Sequence, residues 1–236
     1  MKQFLNDYNS FRESILSLLW TQWTSLGVSG HAPECKSLLD PEALLLFSLS
    51  LGRYDARLFD EIADWLSING EFISTQRLAA MQQTYSFSSG PQLSALAGYL
   101  SRNSEYRLKW HRLSEQYAAS GQDPLFFTIK GKPLPVSSNH DEIFLSKGLL
   151  RSPLTLRGLS RPFHPENPAA YLLALRAFMG ISARCEMFCI LAGRKEIHAA
   201  EAARLACCSR KTAQNALREM SRSGYVVGTV GQREKQ

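Results

Sequence analysis

The chain has 236 residues, 44% hydrophobic and 20% charged, which excludes wholesale disorder, collagen-like repeats and a disulfide-dense miniprotein. Its formal net charge is +6, unevenly placed: residues 1–118 carry 10 basic and 12 acidic side chains, and residues 119–236 carry 17 and 9. The halves therefore stand at −2 and +8, which points to a polyanionic partner for the second. The apolar run Ile15 to Trp20 follows Asp7 and Glu13 with no basic segment or small-residue cleavage site, so it does not read as a signal peptide. The run Ala43 to Leu51 is shorter than the about 20 apolar residues that cross a bilayer, so no membrane partner is expected. Five cysteines, an odd number with Cys207 and Cys208 adjacent, form no secreted disulfide framework and point to a reducing cytoplasm.

The first half reads as helical. Phe4 to Leu26 sets Phe11, Ile15, Leu18, Leu19 and Trp20 on one side, with Trp23 nearby and Gly27 as the stop. Asp40-Pro41-Glu42 has the form of a helix start: an N-cap carboxylate, proline at the first position, acid in the first turn. The helix it opens, through Leu44, Leu45, Leu46, Phe47 and Leu49 to Gly52, is apolar nearly all round and belongs in a core. Asp55 caps the next, whose apolar stripe is Leu58, Phe59, Ile62, Trp65 and Leu66, closed by Asn69-Gly70. Asp60, Glu61 and Asp64 on this helix read as a solvated face rather than an acid/base pair. Two further helices are expected at Thr75 to Tyr85 and Gln92 to Tyr117.

Prolines and glycines crowd residues 120–168, where Leu125 to Ile129 is strand-like and Lys130-Gly131-Lys132 can turn it. The region reads as a connector along the surface or, because Lys130, Lys132, Lys147, Arg151, Arg157 and Arg161 fall here, as an extended basic arm. Helical pattern resumes with Ala169 to Met179. Asp40 to Leu46 resembles Asn167 to Leu173, each followed by a glycine and an Ala-Arg pair, a weak internal repeat.

The strongest constellation is C-terminal. Ser182 to Leu191 forms a helix, Glu196 to His198 a short extended piece, and Ala199 to Ala206 a second helix that turns at Cys207-Cys208. Ser209 opens a third helix through Arg222, and Gly224 leads into the strand-like Tyr225 to Val230, with a turn at Gly231-Gln232-Arg233. Ala213, Leu217 and Met220 form the inward stripe of the third helix, while Lys211, Asn215, Arg218 and Arg222 fall on another, with Arg210 and Gln214 beside them.

The stretch from Glu196 to Lys235, with its small-residue second helix, the serine opening the third, Leu217 and Met220 in its body and the Ser223-Gly224-Tyr225 exit, resembles the winged helix-turn-helix of bacterial transcription regulators of the MarR, ArsR and DeoR families. Residues 1–165 resemble no family we recognise. The resemblance implies a mainly α chain: a helical domain at 1–118 for packing, dimerisation or sensing, a basic Pro/Gly-rich connector at 119–167, and a DNA-binding domain with a small β-wing at 168–236. It implies double-stranded DNA as partner, a homodimer, and DNA contacts from Ser209, Arg210, Lys211, Thr212, Gln214, Asn215, Arg218, Arg222 and Arg233. An exposed face of Arg, Lys, Gln and Asn suits both phosphates and base edges. The alternative is a winged-helix module that binds protein without specific DNA binding.

Other signals read as structural. Cys185 and Cys189 with Cys207 and Cys208 lack a Cys-x-x-Cys spacing, so no metal and no cofactor is expected. His140-Asp141 reads as an exposed turn. No phosphate-cradling loop or nucleophile elbow is found, which disfavours an enzyme. Trp20, Trp23, Trp65 and Trp110 with Tyr54, Tyr85 and Tyr106 read mainly as core, with a small-molecule effector pocket among them as the competing reading.

Overall fold

A computed structural model describes residues 2–119 and 121–228. They are mainly helical: α1 Lys2–Ser25, α2 Pro41–Leu51, α3 Ala56–Asn69, α4 Thr75–Thr84, α5 Gly90–Asn103, α6 Arg107–Ser114, α7 Glu142–Leu145, α8 Tyr171–Met179, α9 Ala183–Ala192, α10 Ala199–Ala206 and α11 Arg210–Arg222. The one sheet among the described residues is a parallel pair of two-residue strands, β1 Asp123–Pro124 and β2 Leu149–Leu150. The chain divides into two compact units, 1–174 and 175–236. Residues 121–167, expected as a connector, pack within the first.

The expected caps form. Asp40 accepts the Ala43 N–H at 3.1 Å ahead of Pro41, and Asp55 accepts that of Leu58 at 3.0 Å. The second Asp55 oxygen takes the Trp20 indole N–H at 2.7 Å, tying α1 to α3. Asn167 accepts the Ala169 N–H ahead of Pro168, so the two halves of the weak repeat share a capping device. They part at their glycines, Gly52 at φ −63° and Gly180 at φ +76°. Glu42, fully buried, holds Arg77 of α4 at 2.7 Å and the Ser74 N–H at 2.7 Å. Burial works against the Arg77 charge, but Asp40 and Glu42 outweigh it and hold the guanidinium above its ordinary range.

Three expectations are corrected. The buried stripe of α1 is Arg12, Leu16, Leu19, Trp23 and Leu26, whereas Phe11 and Leu18 are exposed. Arg12 is tolerated inside because its guanidinium lies 3.8 Å from the Tyr54 ring centroid, with Tyr8 on it as well, and donates to the Ile129 carbonyl. The single helix expected over Gln92 to Tyr117 is two, α5 and α6. Ser104 breaks it, its hydroxyl donating to the Leu100 carbonyl and accepting the Tyr106 N–H. The strand expected at Leu125 to Ile129 reduces to a tight turn at Lys130-Gly131 with one bridge, Phe127 to Pro133, since Pro133 and Pro135 cannot donate to a ladder.

The largest correction concerns the acidic face of α3, which is not solvated. Asp64, 2% exposed, accepts three consecutive backbone N–H groups, those of Gly158, Leu159 and Ser160, at 2.9, 3.0 and 2.8 Å. Glu61 takes Arg157 at 2.7 Å, and Asp60 takes both Arg151 nitrogens at 2.8 and 3.1 Å. Burial pushes the Asp60 carboxyl up while the Arg151 hydrogen bond pulls it back. Arg151 is itself buried, 5.0–5.9 Å from the rings of Phe59, Phe126 and Phe144. Asn69 completes the clasp, accepting from Phe163 N–H and donating to the Arg161 carbonyl. Arg151 and Arg157 are thus fittings of the first unit rather than parts of an arm. Gly27 lets the strap close: at φ +106° its ideal Cβ would lie 2.7 Å from the Arg161 oxygen.

His140-Asp141 is likewise no exposed turn. Asp141 is buried, accepts the N–H groups of Ile143, Phe144 and Leu154, and starts α7. Asp64→Ala would take the acceptor from three strap N–H groups, of which that of Ser160 is buried and those of Gly158 and Leu159 lie on exposed residues, so a loss of about 1–3 kcal/mol is expected in urea unfolding of the first unit. A loss below about 1 kcal/mol would show that the strap holds by other contacts.

Candidate nucleic-acid interface

In the second unit α9, α10 and α11 surround a core of Met187, Ala202, Ala203, Ala206, Ala213, Ala216 and Met220. Five of these seven are alanines, which lets the helices approach closely. Phe188, Ile190, Leu191, Ile197, Cys208, Leu217 and Val226 pack around them. The inward stripe of α11 is therefore Ala213, Ala216 and Met220, and Leu217 is only half-buried, a correction of one position. Arg176 and Glu186 form a buried ion pair at 2.6 Å.

The α10–α11 junction is a three-residue turn, Cys207 to Ser209. Cys207 takes the left-handed conformation (φ +51°, ψ 46°), its N–H meets the Arg204 carbonyl, and the Cys208 N–H reaches back to Ala203 at 3.0 Å. This is the paired closure that normally uses glycine. Ser209 then caps α11 by accepting the Thr212 N–H at 3.1 Å, its hydroxyl 2.8 Å from that of Thr212.

Ser209, Arg210, Lys211, Thr212, Gln214, Asn215, Arg218 and Arg222 are all exposed and lie together on or at the start of α11. Asn215 accepts from Arg218 at 3.4 Å. Arg233 and the end of the expected wing strand lie outside the described residues, and no strand forms over residues 225–228. Sequence spacing missed two features. Arg204, exposed on the last turn of α10, adds a cation beside the turn. Arg184 of α9 donates to Glu219, the one acid on α11, at 2.6 Å, a pairing across 35 positions that no periodicity displays. That hydrogen bond holds the Glu219 carboxyl below its ordinary range.

Elsewhere, Cys185 is buried, its Sγ donating to the Gly180 carbonyl at 3.3 Å, and burial pushes its thiol up. Among the described residues no group of three or more His, Cys, Asp or Glu side chains is arranged to hold a metal. Trp23, Trp65 and Trp110 are fully buried, with Trp23 and Trp65 edge to face at 5.2 Å. A cleft of about 210 Å³ opens instead between α4, α5 and α6, lined by Gln82, Gln83, Leu93, Ser94, Gln116 and Tyr117 among others.

No family model, curated protein or solved structure matches the chain. No described helix is long and apolar enough to cross a membrane.

Met220→Ala is expected to cost about 2–5 kcal/mol in thermal or urea unfolding of the second unit, and Leu217→Ala less, because Leu217 is half-exposed. Equal losses would place Leu217 in the core. Arg184→Ala should return the Glu219 titration upward in an NMR pH series. With a depressed folded value, the α9–α11 tie is present above the ordinary glutamate range and lost as pH falls through the lower folded one. An unmoved Glu219 would show that Arg184 is not its partner in solution.

Proposed function

We propose that this chain binds double-stranded DNA sequence-specifically and regulates transcription, through a winged helix-turn-helix with α10 as the supporting helix and α11 as the reader. The observation that carries this is charge by unit. Residues 1–174 hold 16 basic and 16 acidic side chains, residues 175–236 hold 11 and 5, so the whole +6 belongs to the second unit. On α11 that excess faces outward together with two neutral amides.

Each residue then has a role. Gln214 and Asn215 can pair bidentately with adenine in the major groove. Arg210 and Lys211, in the first turn, reach a base edge or a phosphate, and the Ser209-capped amides suit a phosphate oxygen. Arg218 and Arg222 meet the sugar–phosphate backbone, as would Arg233 at the wing tip. The Arg184–Glu219 pair removes the one carboxylate that would repel phosphate. A homodimer would set two such helices about one turn of duplex apart. A second reading, a protein-binding module, is favoured by Tyr225 and Val227, apolar and exposed where the chain leaves α11.

Binding to a site selected from random duplex DNA tests the two readings. Affinity is expected to fall with salt at a log–log slope of about −0.9 per phosphate neutralised. Asn215→Ala should cost about 1–3 kcal/mol on the selected site and little on random duplex, whereas Arg222→Ala should weaken both alike and flatten the slope. If neither folded variant changes DNA affinity, α11 is not the reader and the protein-binding reading takes its place.

A further inference from the structure

We propose that α1 is a self-association helix, pairing antiparallel with α1 of a second copy of this chain through Tyr8, Phe11, Ile15 and Leu18. At 100° per residue, the seam and the buried stripe of α1 together cover an arc of about 160°, and the bundle covers only half of it. Arg12, Leu16, Leu19, Trp23 and Leu26 face inward, whereas Tyr8, Phe11 and Leu18 remain 51%, 64% and 51% exposed and Ile15 is half-buried. The open positions are spaced 3, 4 and 3 residues apart, the a/d repeat by which one helix meets another. The described residues that border the seam on its solvent side, Ser10, Ser14, Ser17 and Thr21, are short and uncharged, and Asp7 stands at its end.

The seam is complementary to itself in one orientation. Antiparallel pairing sets a positions against d positions, so Tyr8 meets the partner's Leu18 and Phe11 meets the partner's Ile15. Each layer then joins one aromatic to one aliphatic side chain about a two-fold axis at position 13. A parallel pair would instead stack Tyr8 on Tyr8 and Phe11 on Phe11, and bring the two Asp7 carboxylates together. The antiparallel register separates those carboxylates by most of the seam. That self-complementarity is what an isologous two-fold contact requires, and it selects a second copy as the occupant.

Area sets the strength. With about 200 Å² per aromatic side chain, the exposed fractions of Tyr8, Phe11 and Leu18 leave about 300 Å² open on each copy, or about 600 Å² for the pair. That is about half the 1,200 Å² at the lower end of specific interfaces, so the flanks must add to it and a weak, concentration-dependent association is expected. This inference does not depend on DNA binding, and its test contains no DNA.

Sedimentation velocity of the full chain over about 1–200 μM is expected to show the mass doubling. Phe11→Glu and Ile15→Lys chains should each stay monomeric with an unchanged far-UV spectrum, since Phe11 is exposed and the half-buried Ile15 lets a lysine reach water. An equal mixture of the two should recover the doubled mass, because only the antiparallel register sets Glu at 11 against Lys at 15 while restoring Ile15 against Phe11 in the other layer. Leu18→Glu repeats the measurement if Phe11→Glu loses helicity. A monomer throughout, or variants that dimerise like the parent, would overturn the proposal, and a mixture that stays monomeric would overturn the antiparallel register.

Discussion

The first unit depends on a carboxylate that accepts hydrogen bonds from a peptide strap. Asp64 receives the N–H groups of residues 158–160 while nearly excluded from water. A buried carboxylate is tolerated only when its lone pairs are filled, and irregular backbone such as that at the buried Ser160 packs onto a helix only when its donors are satisfied. Each condition is the other's solution. Asp60 and Glu61 extend the arrangement to Arg151 and Arg157, so one helix of 14 residues collects a segment more than 90 positions away. Removing one partner of such a pair costs more than the pair contributes, because the other is left charged and dry.

What could be read from the sequence follows from range. Caps act over three residues, and Asp40, Asp55, Ser209 and Gly27 behave as their local chemistry requires. The mainly helical character follows from periodicity in the same way. The acidic face of α3 was illegible for the opposite reason: Asp60, Glu61 and Asp64 look solvated on a helical wheel, and nothing local shows that residues 151–160 will cover them. Arg151 and Arg157 were visible as charges, but not as the complement of that face. In α1 both candidate stripes are apolar, and periodicity alone cannot decide which one meets the bundle when a third contact, Arg12 on Tyr54, adds to one side.

The second unit was more legible because its packing is local. Three helices within 40 residues, joined by short turns, leave few ways to pair their apolar faces. Side-chain size favours Leu217 over Ala216 as the inward residue, whereas the helices meet at a spacing set by alanine. Where neighbouring helices offer Ala202, Ala203 and Ala206, a facing leucine is displaced to the rim and a facing alanine fits. The outward set is the same with either inward residue, and Arg210, Lys211, Gln214, Asn215 and Arg218 face solvent.

The two units differ most in what they do with charge. In the first, Asp60 with Arg151, Glu61 with Arg157 and Glu42 with Arg77 are closed pairs at or below the surface, and the totals cancel. Such pairs project little field, because each dipole decays within about a Debye length, roughly 8 Å in physiological salt. In the second unit three of the five acids are engaged as well, Glu186 by Arg176, Glu201 by Arg194 and Glu219 by Arg184. There the basic residues outnumber them, and the surplus includes Arg210, Lys211, Arg218 and Arg222 along a single helix. A surplus on one rigid helix, with amides interleaved, adds its charges at one spacing instead of averaging them over a surface. Under the proposed function, phosphates repeating along a duplex are the partner for which that spacing would matter.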